Sequence, residues 1–219
     1  GKKVGSCQYS DITIFSFHPV KIITTGEGGI ALTNNKKIAE RMSLLRSHGV
    51  SRNNNLMFNK SEGPWYYEQI DLGYNYRLTD LQASLGLSQL KKLDDFVAKR
   101  RILVKKYNEA LKHLDIVLPF CEKINDSAWH LYVIQVEKSK RLNIFNYLRS
   151  QQIGVNVHYI PVCNQPYYTK LGFKPGYCKN AEAYYQRAIT LPMFPTLTNE
   201  NFNFVCAKLQ SAVLASDVV

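Results

Sequence analysis

The run ITIFSFHPVKIITTGEGGIALT, residues 12–33, constrains the local fold more tightly than any other part of the chain. Ile12 to Phe17 are β-branched or aromatic apart from Ser16, which favours an extended strand, and Pro19 has no N–H to give to a ladder, so the chain must turn near it. Lys21 therefore falls just past a strand end. Open α/β sheets place ligands in the crevice outside the carboxyl ends of their strands, which makes such a lysine a candidate for chemistry. Gly26-Glu27-Gly28-Gly29 then offers a turn with exposed backbone, and Gly29 to Thr33 reads as a second strand.

Downstream, Ile38, Met42 and Leu45 recur at helical spacing and predict a helix from Lys36 to Arg46, with Gly49 as its stop signal. Residues 51–68 turn to Asn, Ser, Gly and Pro and predict a long loop ending at Trp65-Tyr66-Tyr67; long loops inside compact domains are often functional. Thr79 with Gln82 three residues later is a capping-box pattern, so a helix starts there, and the leucine stripe carries it on towards Leu111. Ala83, Ser84 and Gly86 keep its early surface thin. Beyond Pro119 the pattern predicts a strand at 129–136, a helix at 141–151, a strand at 155–162, a loop at 166–180, a helix at 181–188 and a closing helix at 201–214. The boundary is placed at residue 115, giving 1–115 with its long connecting helix and a smaller α+β domain at 116–219.

With 219 residues, 45% hydrophobic and 21% charged, the chain has an ordinary globular composition with room for one or two domains. No apolar run approaches the roughly 20 residues that span a bilayer, and Gly1 to Ser6 open no secretory leader, so no membrane partner and a cytoplasmic location are expected. Cys7, Cys121, Cys163, Cys178 and Cys206 stand singly, without a C-x-x-C pair or a close Cys/His cluster; free thiols and no metal site are expected. The net charge of +11 raises the possibility of a nucleic-acid-binding protein. Lys91, Lys92, Lys99, Arg100, Arg101, Lys105, Lys106 and Lys112 are, however, interrupted by Asp94, Asp95 and Glu109 and spread round a helix, which favours a solvated face. Such a basic surface equally suits a small anionic substrate.

A lysine amine held in a cleft can form a Schiff base with a carbonyl, either a substrate aldehyde or pyridoxal phosphate. The motif Ser16-Phe17-His18-Pro19-Val20-Lys21, followed by Thr24-Thr25-Gly26-Glu27-Gly28-Gly29, resembles the lysine motif of the DegT/DnrJ/EryC1/StrS family of pyridoxal-phosphate aminotransferases, which act on nucleotide-linked keto sugars. LGYNYRLTDLQASLGLSQL at 72–90 resembles that family's downstream signature, and NVHYIP at 156–161 its segment in the C-terminal domain. Three ordered motifs over most of the chain make the resemblance specific.

The resemblance implies an α/β fold of the aspartate-aminotransferase type, pyridoxal-phosphate transferase fold type I, present as the C-terminal part of the large domain plus the α+β small domain. It implies that Lys21 holds the cofactor and shuttles a proton, that Ser16 binds the cofactor phosphate, and that Asn75 reaches the phosphate of the neighbouring subunit in a homodimer with shared active sites. Arg77 would orient that loop, touch an anionic substrate or serve structure alone. His158 and Tyr159 match positions near the nucleotide-sugar site, against the alternative of a packed strand. His18 is expected to shape the lysine turn. Members that dehydrate sugars carry histidine in place of the lysine, so Lys21 favours transamination. The implied reaction moves an amino group from glutamate to a UDP-linked 4-keto-6-deoxy sugar, as in the pseudaminic acid-type synthesis of bacterial surface sugars.

The family's chains carry a long stretch ahead of the lysine motif, where an aspartate pairs with the pyridinium nitrogen, an aromatic residue stacks on the ring and further phosphate donors lie. This chain has twenty residues there, and Asp11 matches no such role. The missing segment is expected on the same or a separate chain, and residues 1–219 alone are expected to be inactive; a non-catalytic or split-subunit homologue is the alternative.

Overall fold

A computed structural model describes residues 2–123 and 127–215. The chain forms two compact units, Gly1–Leu93 and Asp94–Val219. The sequence-based division at 115/116 counts the long helix with the first part, whereas its buried residues belong to the core of the second; residue 1 and residues 216–219 of that division lie outside the described residues. No helix among the described residues is long and apolar enough to cross a membrane.

In the first unit, β1 (Thr13–Ser16) pairs antiparallel with β2 (Gly29–Leu32), Thr13 facing Leu32 and Ser16 facing Gly29. Helix α1 (Lys36–Arg46) begins where the Asn35 side chain accepts the Lys37 and Ile38 N–H groups, two donors the first turn cannot satisfy itself. A two-residue ladder between β3 (Val50–Ser51) and β4 (Glu68–Gln69) closes the long loop. Helix α2 (Asp80–Leu90) starts at Thr79 with both halves of the capping box formed. It does not run on to Leu111: a turn at Lys91 and Lys92 separates it from α3 (Leu93–Leu111). The physical reason is a change of environment, since α2 buries no residue while α3 buries Leu103, Val104, Tyr107 and Leu111. Among the described residues, the buried apolar side chains all belong to the second unit. The first unit is held by hydrogen bonds and caps, and leaves Ile14 and Leu81 exposed at 76% and 86%.

The second unit surrounds a short antiparallel ladder of β5 (Tyr132–Gln135) and β6 (Ala188–Leu191) with α3, α4 (Arg141–Ser150) and α7 (Asn199–Ala215). Tyr132 and Ile134 from β5, Ile144 and Leu148 from α4, Ile189 and Leu191 from β6, and Val205 and Leu209 from α7 pack with the buried face of α3. The Tyr107 and Tyr132 rings stack with centroids 4.7 Å apart. Two further helices, α5 (Pro166–Lys170) and α6 (Lys179–Arg187), occupy the stretch read from sequence as loop and helix. The strand expected at 155–162 is reduced to one bridge between Asn156 and Thr190. Past Asn156 the pairing does not continue, and Tyr159, Ile160 and Val162 are exposed.

Arg100 departs from the solvated face assigned to it. It is 4% exposed, and its Nη1 donates to the carbonyls of Trp129, His130 and Met193 at 3.1, 3.1 and 3.0 Å. Burial pushes the guanidinium pKa down, because a charge is costly away from water unless hydrogen bonds compensate it. One planar cation thus ties α3 to the chain on either side of the ladder.

The long loop has its own carboxylate staple. Glu68 accepts the Phe58 N–H at 2.6 Å, the Asn59 N–H and side-chain amide at 2.9 Å each, and the Tyr66 hydroxyl at 2.9 Å. These donors, the Phe58 N–H first, hold the Glu68 carboxyl below its ordinary value of 4.5. A depressed folded-state pKa contributes stability that is present above the ordinary value and is lost as pH falls through the folded one.

Arg100→Met is expected to destabilise the second unit by about 2–4 kcal/mol, read by denaturant unfolding, because three buried carbonyls lose a charged donor. Glu68→Ala is expected to raise amide hydrogen exchange at Phe58 and Asn59 by roughly tenfold at neutral pH with global stability little changed. The wild-type protein should lose the same protection, after correction for intrinsic exchange, as pH falls below 4.5.

Candidate active site

The lysine turn is built on the backbone of one residue. Phe17, the residue after β1, donates its N–H to Gly28 O at 2.8 Å, and its carbonyl accepts the Thr25 N–H at 3.0 Å and the Thr24 hydroxyl at 2.9 Å. Inside that frame Lys21 N–H donates to His18 O at 2.9 Å, closing a four-residue turn over Pro19 and Val20. His18 serves the turn in three ways: its carbonyl accepts from Lys21, its Nδ1 accepts the Val20 N–H at 3.4 Å, and its Nε2 lies 3.7 Å from Glu27 Oε1. Ser16 Oγ, at the end of β1, accepts the His18 N–H at 3.3 Å. Strand end, hydroxyl and amine thus share one short segment, with the Lys21 side chain half-buried.

The loop behind the lysine is anchored to α2. Thr25, 3% exposed, donates its hydroxyl to Glu27 O at 2.7 Å, and the Gln82 side-chain amide donates to the same carbonyl at 3.0 Å. A Cβ at Gly28 would collide with Thr25 Oγ1, and one at Gly86 would lie 2.8 Å from the Thr25 methyl. Gly28 and, on α2, Gly86 therefore make room for Thr25. Gln82 joins two motifs by completing the cap of α2 and gripping the lysine loop. In the sequence Gln82 is legible as a cap and Gly86 as a thin surface, but Thr25 carries no signal distinguishing it from Thr24.

Asn75 and Arg77 stand together on a second segment of this unit. Tyr74 donates to Leu45 O at 2.7 Å and accepts from His48 N–H at 2.8 Å, and Tyr76 donates to Arg46 O at 2.9 Å, so residues 74–76 are laid along the end of α1. The Tyr74 and Tyr76 rings stack with centroids 4.8 Å apart, on one side of the extended segment as period-two spacing requires. Arg77 Nε donates to Asn75 Oδ1 at 3.1 Å, which orients the amide with Nδ2 as its donor edge. Upstream, Arg41 pairs with Asp71, whose carboxyl is held below its usual range by that hydrogen bond first and by the Leu72 N–H next.

His158 and Tyr159 belong to the second unit. His158 Nδ1 and Thr190 Oγ1 share a hydrogen bond of 2.7 Å, and Nε2 lies 3.4 Å from Asn156 Nδ2. Thr190 is buried on β6 and exchanges backbone hydrogen bonds with Asn156, so the ladder sets the ring's position. Tyr159 meets the imidazole edge-on at 4.4 Å and is 66% exposed. Sequence reasoning misses the roles of Asn156 and Thr190: Asn156 opens the NVHYIP motif without standing out in it, and Thr190 is remote in sequence.

A primary amine and a hydroxyl fixed at one strand end are the donor set that an aldehyde-bearing phosphate cofactor requires. The match to known proteins agrees. The model of the DegT/DnrJ/EryC1/StrS aminotransferase family covers residues 1–210. An uncharacterized protein of Methanocaldococcus jannaschii is 43% identical over 92% of this chain and 53% of its own length. The UDP-4-amino-4,6-dideoxy-N-acetyl-beta-L-altrosamine transaminase of Campylobacter jejuni is 36% identical over 94% of this chain and 52% of its own. Among solved structures, Helicobacter pylori PseC, an aminotransferase involved in the biosynthesis of pseudoaminic acid, superimposes with a TM-score of 0.85 at 29% identity, over 94% of this chain and 54% of that one. The chain spans about half the length of the curated relatives it matches. The fold is the pyridoxal-phosphate transferase fold type I, and related solved chains are known in PLP and PMP forms. With the lysine turn, the capped helix behind it and a family match over nearly all of its length, the chain belongs to the DegT/DnrJ/EryC1/StrS aminotransferase family.

Proposed function

We propose that the complete protein transfers an amino group from glutamate to a UDP-linked 4-keto-6-deoxy sugar, in pseudaminic acid-type synthesis of bacterial surface sugars, and works in the cytoplasm as a homodimer with shared active sites. The observation that carries this reading is the lysine turn, where Lys21 is placed by its own N–H to His18 O and by the Phe17 frame. The 36% identity to a transaminase named for a UDP-linked 4-amino sugar supports the substrate class.

Lys21 would hold the cofactor covalently and, once displaced by the amino donor, move the proton at the reacting carbon. The Ser16 hydroxyl would donate to the cofactor phosphate. Asn75 would serve the phosphate of the neighbouring subunit's cofactor through Nδ2, with Arg77 keeping Oδ1 engaged and so fixing which edge of the amide faces the anion. His158, oriented by Thr190, would position Tyr159, whose exposed ring and hydroxyl meet the nucleotide sugar. Pyridoxal phosphate, when bound, supplies the electron sink and carries the amino group between the two substrates. One lysine filling both the anchoring and the proton-moving role explains why no second base is needed beside it.

The test is reductive trapping. The full-length protein incubated with pyridoxal phosphate and then borohydride is expected to carry one pyridoxyl group, mapped to Lys21 by peptide mass, and glutamate added before the reductant should prevent the trapping. Lys21→Ala is expected to lose the adduct and to lower amination of the UDP-keto sugar by at least a thousandfold, which corresponds to about 4 kcal/mol. Labelling spread over surface lysines, or unchanged activity in Lys21→Ala, would overturn the assignment in favour of a non-catalytic homologue; salt-sensitive nucleic-acid binding with no specific adduct would favour the nucleic-acid reading.

A further inference from the structure

One side chain of α2 serves two elements of the first unit at once. Gln82 lies in the first turn of the helix, half-buried, and its amide is engaged at both ends. Oε1 accepts the Thr79 N–H at 3.1 Å and the Thr79 hydroxyl at 3.0 Å, while Nε2 donates to Glu27 O at 3.0 Å. The first two contacts cap the helix; the third crosses 55 positions of sequence. Together they settle which end of the amide is oxygen, because only this orientation gives Thr79 an acceptor and Glu27 a donor.

The Glu27 carbonyl stands beside the frame of the lysine turn. It also accepts the hydroxyl of the buried Thr25 at 2.7 Å, so two donors converge on one oxygen. The next carbonyl, Gly28 O, takes the Phe17 N–H at 2.8 Å, and Phe17 O takes the Thr25 N–H at 3.0 Å. In the other direction, Glu27 Oε1 lies 3.7 Å from His18 Nε2, and His18 O accepts the Lys21 N–H at 2.9 Å. A chain of contacts thus runs from the start of α2 through Glu27 to the turn that carries Lys21.

We propose that Gln82 is a positioning residue for Lys21: by tying the Glu27 carbonyl to the capped start of α2, it holds the lysine turn in the arrangement from which the amine reacts. This role rests on Lys21 being the cofactor's anchor, as proposed above. A helix cap needs only the acceptor, and a glutamate at 82 would complete the capping box as a glutamine does. The N–H donor is what the lysine loop requires, and a carboxylate facing Glu27 O cannot supply it. Reaction of a held group is sensitive to small displacements, so a loosened turn slows the lysine without removing it.

The difference between acceptor and donor separates capping from positioning in the full-length protein. Gln82→Glu keeps the cap and loses the donor, Gln82→Met loses both without adding charge, and Gln89→Glu adds the charge elsewhere on α2. Before any cofactor is added, amide hydrogen exchange at Phe17 and Thr25 is expected to rise by about tenfold in both Gln82 variants, with exchange within α2 unchanged in Gln82→Glu. The rate at which borohydride-reducible pyridoxal phosphate appears on Lys21 should fall by about tenfold in both, and kcat for amination should fall similarly at unchanged KM for the UDP-linked sugar. Gln89→Glu should match the wild type. Wild-type exchange and labelling in Gln82→Glu, or an equal effect from Gln89→Glu, would overturn the positioning role while the labelled wild type upholds the transaminase reading. A wild-type protein that takes no label at Lys21 would overturn both.

Discussion

The first unit depends on the backbone of Phe17. Its N–H and carbonyl take three hydrogen bonds from the far side of the lysine loop, and those bonds convert a flexible twelve-residue connection between two short strands into a shaped turn. A strand pair of four residues each is marginal by itself. The glycines at 28 and 86, the buried Thr25 and the reach of Gln82 supply the remaining restraint, and together they fix the lysine within a unit that buries no large apolar side chain among its described residues. Position at this site is set by directed hydrogen bonds, which specify geometry more sharply than hydrophobic contact does.

The second unit solves the same problem by packing. Tyr107 and Tyr132 are fully buried, which pushes both phenols up and keeps them neutral, while their hydroxyls find Pro192 O and Asn108 Oδ1. Arg100 adds a rigid polar element to that core. The outcome is a firm β6, and through the buried Thr190 a firm His158, so an exposed tyrosine can be presented at a defined place.

Much of this architecture is legible in the amino-acid pattern. The bounds of α1, Lys36 to Arg46, follow to the residue because apolar spacing, an Asn cap and a following glycine agree. The Thr79 capping box is equally plain, being a local exchange of hydrogen bonds three residues apart. Arg100 misleads, since a basic residue amid lysines looks solvated and only the carbonyls of Trp129, His130 and Met193, at least 29 positions away in sequence, reveal otherwise. The helix expected to continue to Leu111 breaks because the leucines of α2 and those of α3 answer to different surroundings, which periodicity alone does not report. The strand expected at 155–162 stops at one bridge, and its later apolar residues Tyr159, Ile160 and Val162 stand exposed, which periodicity does not report.

By itself the sequence determined the local chemistry: a strand ending at Ser16, a proline turn, a lysine past it, a capped helix behind, and the family these motifs belong to. Such features span a few residues, so backbone preference and side-chain reach decide them. Only the tertiary structure decided that Thr25 is the buried keystone of the lysine loop, that Arg77 orients Asn75, and that Thr190 holds His158. Apart from the Arg77–Asn75 pair, those are contacts between positions separated by many residues, and their geometry follows from how the elements pack.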